Sequence, residues 1–274
     1  MALHPGVVVE LVFVETLGDL RLDVPLHSIG GQGVFVKEVQ RAVLGGQADF
    51  AAHSAKDLPS TVGDGLQLAA FCERRDPRDA LVGRSLADLP AGATIATGSV
   101  RRRAQLTAFA LDSGHAAAPW KFAELRGNIA TRLSKLPDEG ALVMAVAALQ
   151  ILELTDHIAE TLPIDSFVPA PGQGCVALEC RADDATTAAL LSAIDHAPTR
   201  LAVSAERAFL AELGTGCSLP VAAHADGDDL HAFLATDDHH RYQRDRITLF
   251  GSIEQRVAQA AALASSMRDR LGAG

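Results

Sequence analysis

Apolar residues along the chain follow two periods. Short runs rich in β-branched and other apolar residues, each about a strand long, alternate with stretches whose apolar positions recur at helical spacing. Val7 to Val14 predicts a strand, Phe35 to Leu44 a helix, and Phe50 to His53 and Leu66 to Phe71 two more strands. A second series predicts a strand at Thr94 to Ala96, a helix from Ser99 to Ala110 and a strand just before Arg126. It continues with a helix from Asn128 to Leu136 and a strand at Ala141 to Val146. Strand and helix in alternation form the α/β signature. Between the two series, Glu73-Arg74-Arg75-Asp76-Pro77-Arg78-Asp79 is charged, and Pro77 argues against regular structure, which places a boundary there. Beyond Pro169-Ala170-Pro171-Gly172 a strand is expected at Val176 to Glu179. The pattern then changes to a long helix from Thr199 to Leu213 and a glycine-rich turn carrying Cys217. Strands near Val221 to His224, Leu230 to Ala235 and Ile247 to Gly251 follow, closed by a helix from Glu254 to Leu271. This last stretch reads as a third, smaller α/β unit.

Composition narrows the classes of function. The 274 residues carry 24 Lys+Arg against 34 Asp+Glu, a net charge of -10, so a general basic surface for nucleic acid is missing. A hydrophobic content of 48% describes a globular chain with room for two or three domains. No apolar run reaches the length of a membrane span, and Met1-Ala2-Leu3-His4-Pro5-Gly6 lacks the regions of a secretory signal, so a cytoplasmic protein without a membrane partner is expected. Cys72, Cys175, Cys180 and Cys217 have no paired zinc spacing and are too few for a disulfide scaffold, which reads them as reduced thiols. His224, His231, His239 and His240 show no ligand spacing and read as solvated, so no metal is expected.

Against this acidic background, Arg101, Arg102, Arg103, Arg126 and Arg132 gather in Thr97-Gly98-Ser99-Val100-Arg101-Arg102-Arg103 and Leu125-Arg126-Gly127-Asn128-Ile129-Ala130-Thr131-Arg132-Leu133. Guanidinium forks grip carboxylates or phosphates bidentately, so the concentration points to a small anionic ligand; the plainer reading is a solvated helix face. The segment His53-Ser54-Ala55-Lys56-Asp57-Leu58-Pro59-Ser60 follows a predicted strand, and ligands of open α/β sheets bind at strand carboxyl ends. Asp57, held ionised by Lys56, could accept hydrogen bonds from an N–H donor or stabilise a developing cation. Its alternative role is to turn the chain before Pro59, and His53 reads as structural. Cys217, in Gly214-Thr215-Gly216-Cys217-Ser218, has the exposure a nucleophile or attachment point needs, whereas Cys72, Cys175 and Cys180 read as packed small hydrophobes.

Taken in order, these motifs resemble the hydroxymethylbilane synthase, or porphobilinogen deaminase, family over nearly the whole chain. The likeness lies in Gly18-Asp19, the Gly30 to Glu38 stretch, the His53 to Pro59 motif, Arg75-Asp76-Pro77-Arg78-Asp79-Ala80 and the two arginine motifs. It continues through Pro171-Gly172-Gln173-Gly174, Ala205-Glu206-Arg207 and the Cys217 turn. The resemblance implies an α/β fold of two domains like those of periplasmic binding proteins, plus a smaller α/β C-terminal domain carrying the cofactor cysteine. Residues 1–73 with 170–195 would form the first, 77–167 the second and 197–274 the third. It further implies stepwise condensation of four porphobilinogen molecules with release of ammonia, on a dipyrromethane primer bound as a thioether to Cys217. Asp57 would hydrogen-bond the pyrrole nitrogens and stabilise the cation formed on deamination. Ser54, Lys56, Ser99, Arg101, Arg102 and Arg132 would bind the cofactor's carboxylates, and Arg126 with Arg132 the incoming substrate. A monomer is the family expectation.

The chain also departs from that pattern. Family members begin with a further strand and helix containing an Arg-x-Ser motif, and Met1 corresponds to a point after it, so either the start lies upstream or a piece of the site is absent. Gln32 stands where a lysine is usual, Gly98 where a serine is usual and Ile151 where a substrate-binding arginine is common. Together these leave room for a degenerate paralogue that binds an anionic ligand without polymerising porphobilinogen. A hinged solute-binding protein fits the first two domains but not the Cys217 turn.

Overall fold

Three sheets organise the chain, each built from strands that the sequence separates by long intervals. The structure is a computed structural model describing residues 4–14, 36–113, 120–214 and 220–272. In chain order it contains α1 (Lys37–Leu44), β1 (Phe50–Ser54), β2 (Leu66–Phe71), β3 (Asp79–Val82), β4 (Thr94–Ala96) and α2 (Val100–Asp112). Next come β5 (Lys121–Ala123), α3 (Ile129–Leu133), β6 (Ala141–Ala145), α4 (Val146–Ile151), β7 (Ile158–Thr161) and β8 (Val176–Arg181). The last part holds α5 (Ala185–Ser192), α6 (Ala197–Glu212), β9 (Val221–Asp226), β10 (Asp229–Ala235), β11 (Tyr242–Thr248) and α7 (Ile253–Gly272). The fold is mixed α/β, in agreement with the alternating pattern.

The first sheet has the order β1-β8-β2 with both pairings antiparallel. Its central strand arrives from far along the chain, with Cys180 opposite Phe50 and Ala177 opposite Phe71. The second sheet has the order β5-β4-β6-β3-β7; β4 runs parallel to β5 and β6, while β3 is antiparallel to β6 and β7. The third is the antiparallel meander β11-β10-β9. The segment 72–78 and the turn around Pro171 to Gly174 carry the chain between the first two sheets.

Burial follows the sheets. Phe209, Ala223, Leu230, Leu234, Leu263 and Met267 join α6 and α7 to the meander. Leu81, Ile95, Leu106, Val143 and Phe167 form the centre of the second sheet's core. Helix α2 has a second buried face: Ala104 and Ala108 pack with Val168, Ala222, Phe233 and Ala235, so small side chains let the helix approach the meander closely. Among the described residues, no helix is long and apolar enough to cross a membrane.

Several expectations need correction. Among the described residues Val7 to Val14 forms no strand: the segment has no ladder partner among them, and Val8, Leu11 and Phe13 are 80%, 79% and 90% exposed. A β-prone run becomes a strand only where an edge pairs with its backbone. Strand β3 begins inside the charged motif read as a boundary, because Asp79 is buried at 1% exposure rather than solvated. Strand β7 and helices α4 and α5 went unpredicted, being short and without clean periodicity. Helix α3 ends at Leu133 and dissolves into turns before Pro137. Strand β11 lies upstream of the predicted position, with Leu249 buried just beyond it. His224 and His231 are buried, not solvated; they face each other on β9 and β10, with His224 Nδ1 3.2 Å from Glu206 and His231 Nδ1 3.4 Å from Asp165.

Candidate active site

Strand β1 ends at Ser54, and a single 3-10 turn, Ala55–Asp57, follows at its carboxyl end. Leu58 is buried beneath the turn, Ser54 and Asp57 are exposed and Lys56 is half-buried. Burial pushes the Lys56 ammonium below its ordinary value; Asp57 and Asp79 oppose that shift, and Arg102 and Arg101 reinforce it. Lys56 donates no hydrogen bond to another described residue.

Helix α2 brings the arginine run to the same place. Ser99 caps it, its hydroxyl accepting from the Arg102 backbone N–H at 3.4 Å, so the first turn begins directly after Gly98. Arg101 and Arg102 are only 5% and 8% exposed and share the Asp79 carboxylate. Arg101 Nη1 donates to Asp79 Oδ2 at 2.8 Å and to the Val168 carbonyl at 2.8 Å. Arg102 donates to Asp79 Oδ1 from Nε at 3.0 Å and Nη2 at 2.7 Å, and from Nη1 to the Val143 carbonyl at 2.9 Å. Gln173 Nε2 adds a donor to Asp79 at 2.8 Å. Burial opposes the Asp79 charge, yet the two guanidinium groups hold its carboxyl far below the usual carboxylate range. Arg103 turns away to Glu124 at 2.5 Å and the Thr97 carbonyl at 3.0 Å.

The second arginine motif closes the arrangement. Asn128 caps α3 by accepting from the Thr131 N–H at 2.9 Å, and Arg132 Nε donates to the Gly127 carbonyl at 2.7 Å. Burial lowers the Arg132 value first, then the field of Arg102; Asp57 raises it and Arg126 lowers it again. Asp57 from the first sheet and Arg102, Arg126 and Arg132 from the second therefore share one electrostatic environment. The charges of Lys56, Arg101, Arg102, Arg126 and Arg132 and of the two carboxylates Asp57 and Asp79 are linked through one another. Such an excess of partly buried positive charge favours an anionic ligand with several negative groups. Cys217 and Gln32 lie outside the described residues; the segment carrying Cys217 joins the end of α6 to β9.

Two matches with known families decide the kinship. Residues 2–189 match the family model described as porphobilinogen deaminase, dipyromethane cofactor binding domain, and residues 200–271 match porphobilinogen deaminase, C-terminal domain. This chain belongs to the porphobilinogen deaminase family. The porphobilinogen deaminase of Syntrophotalea carbinolica is 48% identical over 228 residues, covering 81% of this chain and 70% of that protein. Among solved structures, a methionine-binding lipoprotein of Bacillus subtilis aligns at TM-score 0.37 and 15% identity over 60% of this chain and 77% of that one. A periplasmic substrate-binding protein of Coxiella burnetii aligns at TM-score 0.38 and 14% identity over 61% and 78%.

The donors present suit the family's cofactor. A dipyrromethane brings acetate and propionate carboxylates, and the cleft offers guanidinium and ammonium donors in excess of its own acids. Of the residues singled out from sequence, Ser54, Lys56, Asp57, Ser99, Arg101, Arg102, Arg126 and Arg132 are all described; the charges of Lys56, Asp57, Arg101, Arg102, Arg126 and Arg132 act on one another, and Ser54 and Ser99 stand directly before the Lys56–Asp57 turn and helix α2. Arg101 and Arg102 are committed in part to the interior through Asp79. Asp79 accepts from both arginines and Gln173 donates to Asp79; in the sequence each stands two residues after a proline with no ligand spacing around it, so nothing local marks either as interior. Ile151, at the end of α4, is 57% exposed.

Proposed function

We propose that the chain is a hydroxymethylbilane synthase, condensing four porphobilinogen molecules with loss of ammonia in porphyrin biosynthesis. The observation that carries this reading is the excess of positive charge acting around Asp57, in a chain whose two segments match the cofactor-binding and C-terminal models of the porphobilinogen deaminase family. In this reading residues 1–73 and 170–195 form one domain, 77–167 a second and 197–274 the third. The protein acts as a cytoplasmic monomer on a small molecule, without nucleic acid or membrane.

Cys217 would hold the dipyrromethane through a thioether. When bound, that group supplies the pyrrole carbon on which units are added. Lys56, Arg101, Arg102 and Arg132, with the hydroxyls of Ser54 and Ser99, neutralise and orient its carboxylates. Arg126 and Arg132 receive the carboxylates of the incoming porphobilinogen. Asp57 accepts from substrate pyrrole N–H groups and offsets the positive charge that develops as ammonia leaves. Its place at the exposed end of a short turn lets one carboxylate serve successive rings.

Intact mass under denaturing conditions, with peptide mapping, tests the reading. A two-pyrrole adduct on Cys217, absent from Cys217→Ser, together with ammonia release from porphobilinogen, is the expected result. An unmodified thiol after incubation with hydroxymethylbilane, with no turnover, would refute it.

A further inference from the structure

Helix α6, at whose end the Cys217 segment begins, carries a buried carboxylate that the mechanism above leaves unused. Glu206 is 0% exposed and its contacts reach three separate parts of the fold. Arg74, in the segment 72–78, donates to it from Nη1 at 2.6 Å and Nη2 at 3.1 Å. The Gly172 N–H donates at 2.7 Å, the Ala225 N–H at 2.8 Å, and His224 Nδ1 lies at 3.2 Å. Arg74 in turn donates from Nε to the Gln173 carbonyl at 2.8 Å, and Gln173 Nε2 reaches Asp79 at 2.8 Å. The Gly172–Cys175 turn is thus gripped by α6 on one side and by the arginine-holding Asp79 on the other.

That turn lies directly against the Lys56–Asp57 turn. Gly172 adopts φ +74, and a Cβ placed on it would fall 2.9 Å from the Ala55 carbonyl carbon and 3.1 Å from the Lys56 nitrogen. The Ala55 N–H donates to the Cys175 carbonyl at 2.9 Å, which completes the contact. We infer that Glu206, through Gly172, is a positioning residue that sets the Lys56–Asp57 turn relative to α6, and so registers Asp57 to the cysteine end of that helix. From Glu206 to Glu212 the helix advances about 9 Å.

The inference rests on the synthase reading, and its test separates the two. Gly172→Ala, Glu206→Leu and Glu206→Gln are compared with the unsubstituted protein at 20 °C, with kcat counted per folded molecule bearing the adduct on Cys217. Holding the Gly172 N–H needs only an acceptor, so Gln should rescue what Leu loses; a role limited to charge and stability would affect both alike. The expected result is a fall in kcat of about tenfold for Gly172→Ala and Glu206→Leu, with KM for porphobilinogen within about twofold and Glu206→Gln close to the unsubstituted rate. A loss below about threefold in either variant, a loss carried by KM, equal losses for Gln and Leu, or failure of all three to fold would overturn the inference. An unsubstituted protein with neither adduct nor turnover would remove the synthase reading and the inference with it.

Discussion

At the scale of single residues, the proposed roles divide into groups that bind charge already present and one that answers charge as it forms. On the synthase reading the arginines and Lys56 would meet carboxylates in every state of the ligand and so govern occupancy. Asp57 would face a cation that exists only along the reaction. Asp57→Asn keeps size and an acceptor oxygen but loses the charge, and should lower kcat about a hundredfold while intact mass still reports the adduct. The buried carboxylates carry a separate consequence for stability. Burial opposes the Glu206 charge, but Arg74 and His224 bring its value from the usual 4.5 to about 2. Because the folded value lies below the unfolded one, this stabilisation is complete above about pH 4.5 and is lost as pH falls towards 2; Asp79, depressed in the same sense, adds to the loss. Denaturant midpoints should therefore drop steeply over that window. Glu206→Gln should flatten the drop, by on the order of 3 kcal/mol at its acid end.

At the scale of elements, the site depends on how abruptly strands give way to helices. The segment Thr97–Ser99 turns β4 into α2 with no slack, and this turn aims Arg101 and Arg102 inward at Asp79. Gly98 is part of that economy: a Cβ there would lie 2.8 Å from the Leu125 carbonyl oxygen. A serine, usual at this position in the family resemblance, needs the backbone of the second arginine motif to move. Gly98→Ser should cost about 1–3 kcal/mol in denaturant unfolding and, by shifting Leu125 and Arg126, raise KM for porphobilinogen. Helix α3 is equally short, and its Asn128 cap fixes the first turn from which Arg132 reaches back to Gly127.

At the scale of the whole molecule, α2 serves two neighbours at once. Its Arg101 and Arg102 turn to Asp79, while Ala104 and Ala108 pack against the meander beside Val168 and Phe233. At its far end, Asp112 accepts from the Tyr242 hydroxyl and pairs with Arg244 at 3.4 Å. The third sheet is therefore fastened both to α2 and, through Glu206, to the crossing segments. Phe233 is fully buried in this contact, and Phe233→Ala should cost about 3–5 kcal/mol, measured by denaturant unfolding. Arg244 would lose the Phe233 ring beneath it, but Arg101 and Arg102 keep their Asp79 partner, so the adduct should still form at temperatures where the variant is folded.

The sequence by itself determined the α/β class, the positions of most strands and long helices, the family and the residues that bear charge in the cleft. Those features are local: periodicity, caps, turn residues and the order of short motifs are written in neighbouring positions. Only the tertiary structure decided which charges are solvated and which are interior. The motif around Asp79 reads as a polar linker until Arg101, Arg102 and Gln173 arrive from far along the chain to satisfy it. His224 and Glu206 have the same history. Val7 to Val14 marks the opposite case, in which a sound β pattern finds no partner among the described residues, and strand formation needs a partner that no local pattern supplies. Side-chain burial and backbone pairing are properties of contacts between distant segments, and those contacts exist only in the folded chain.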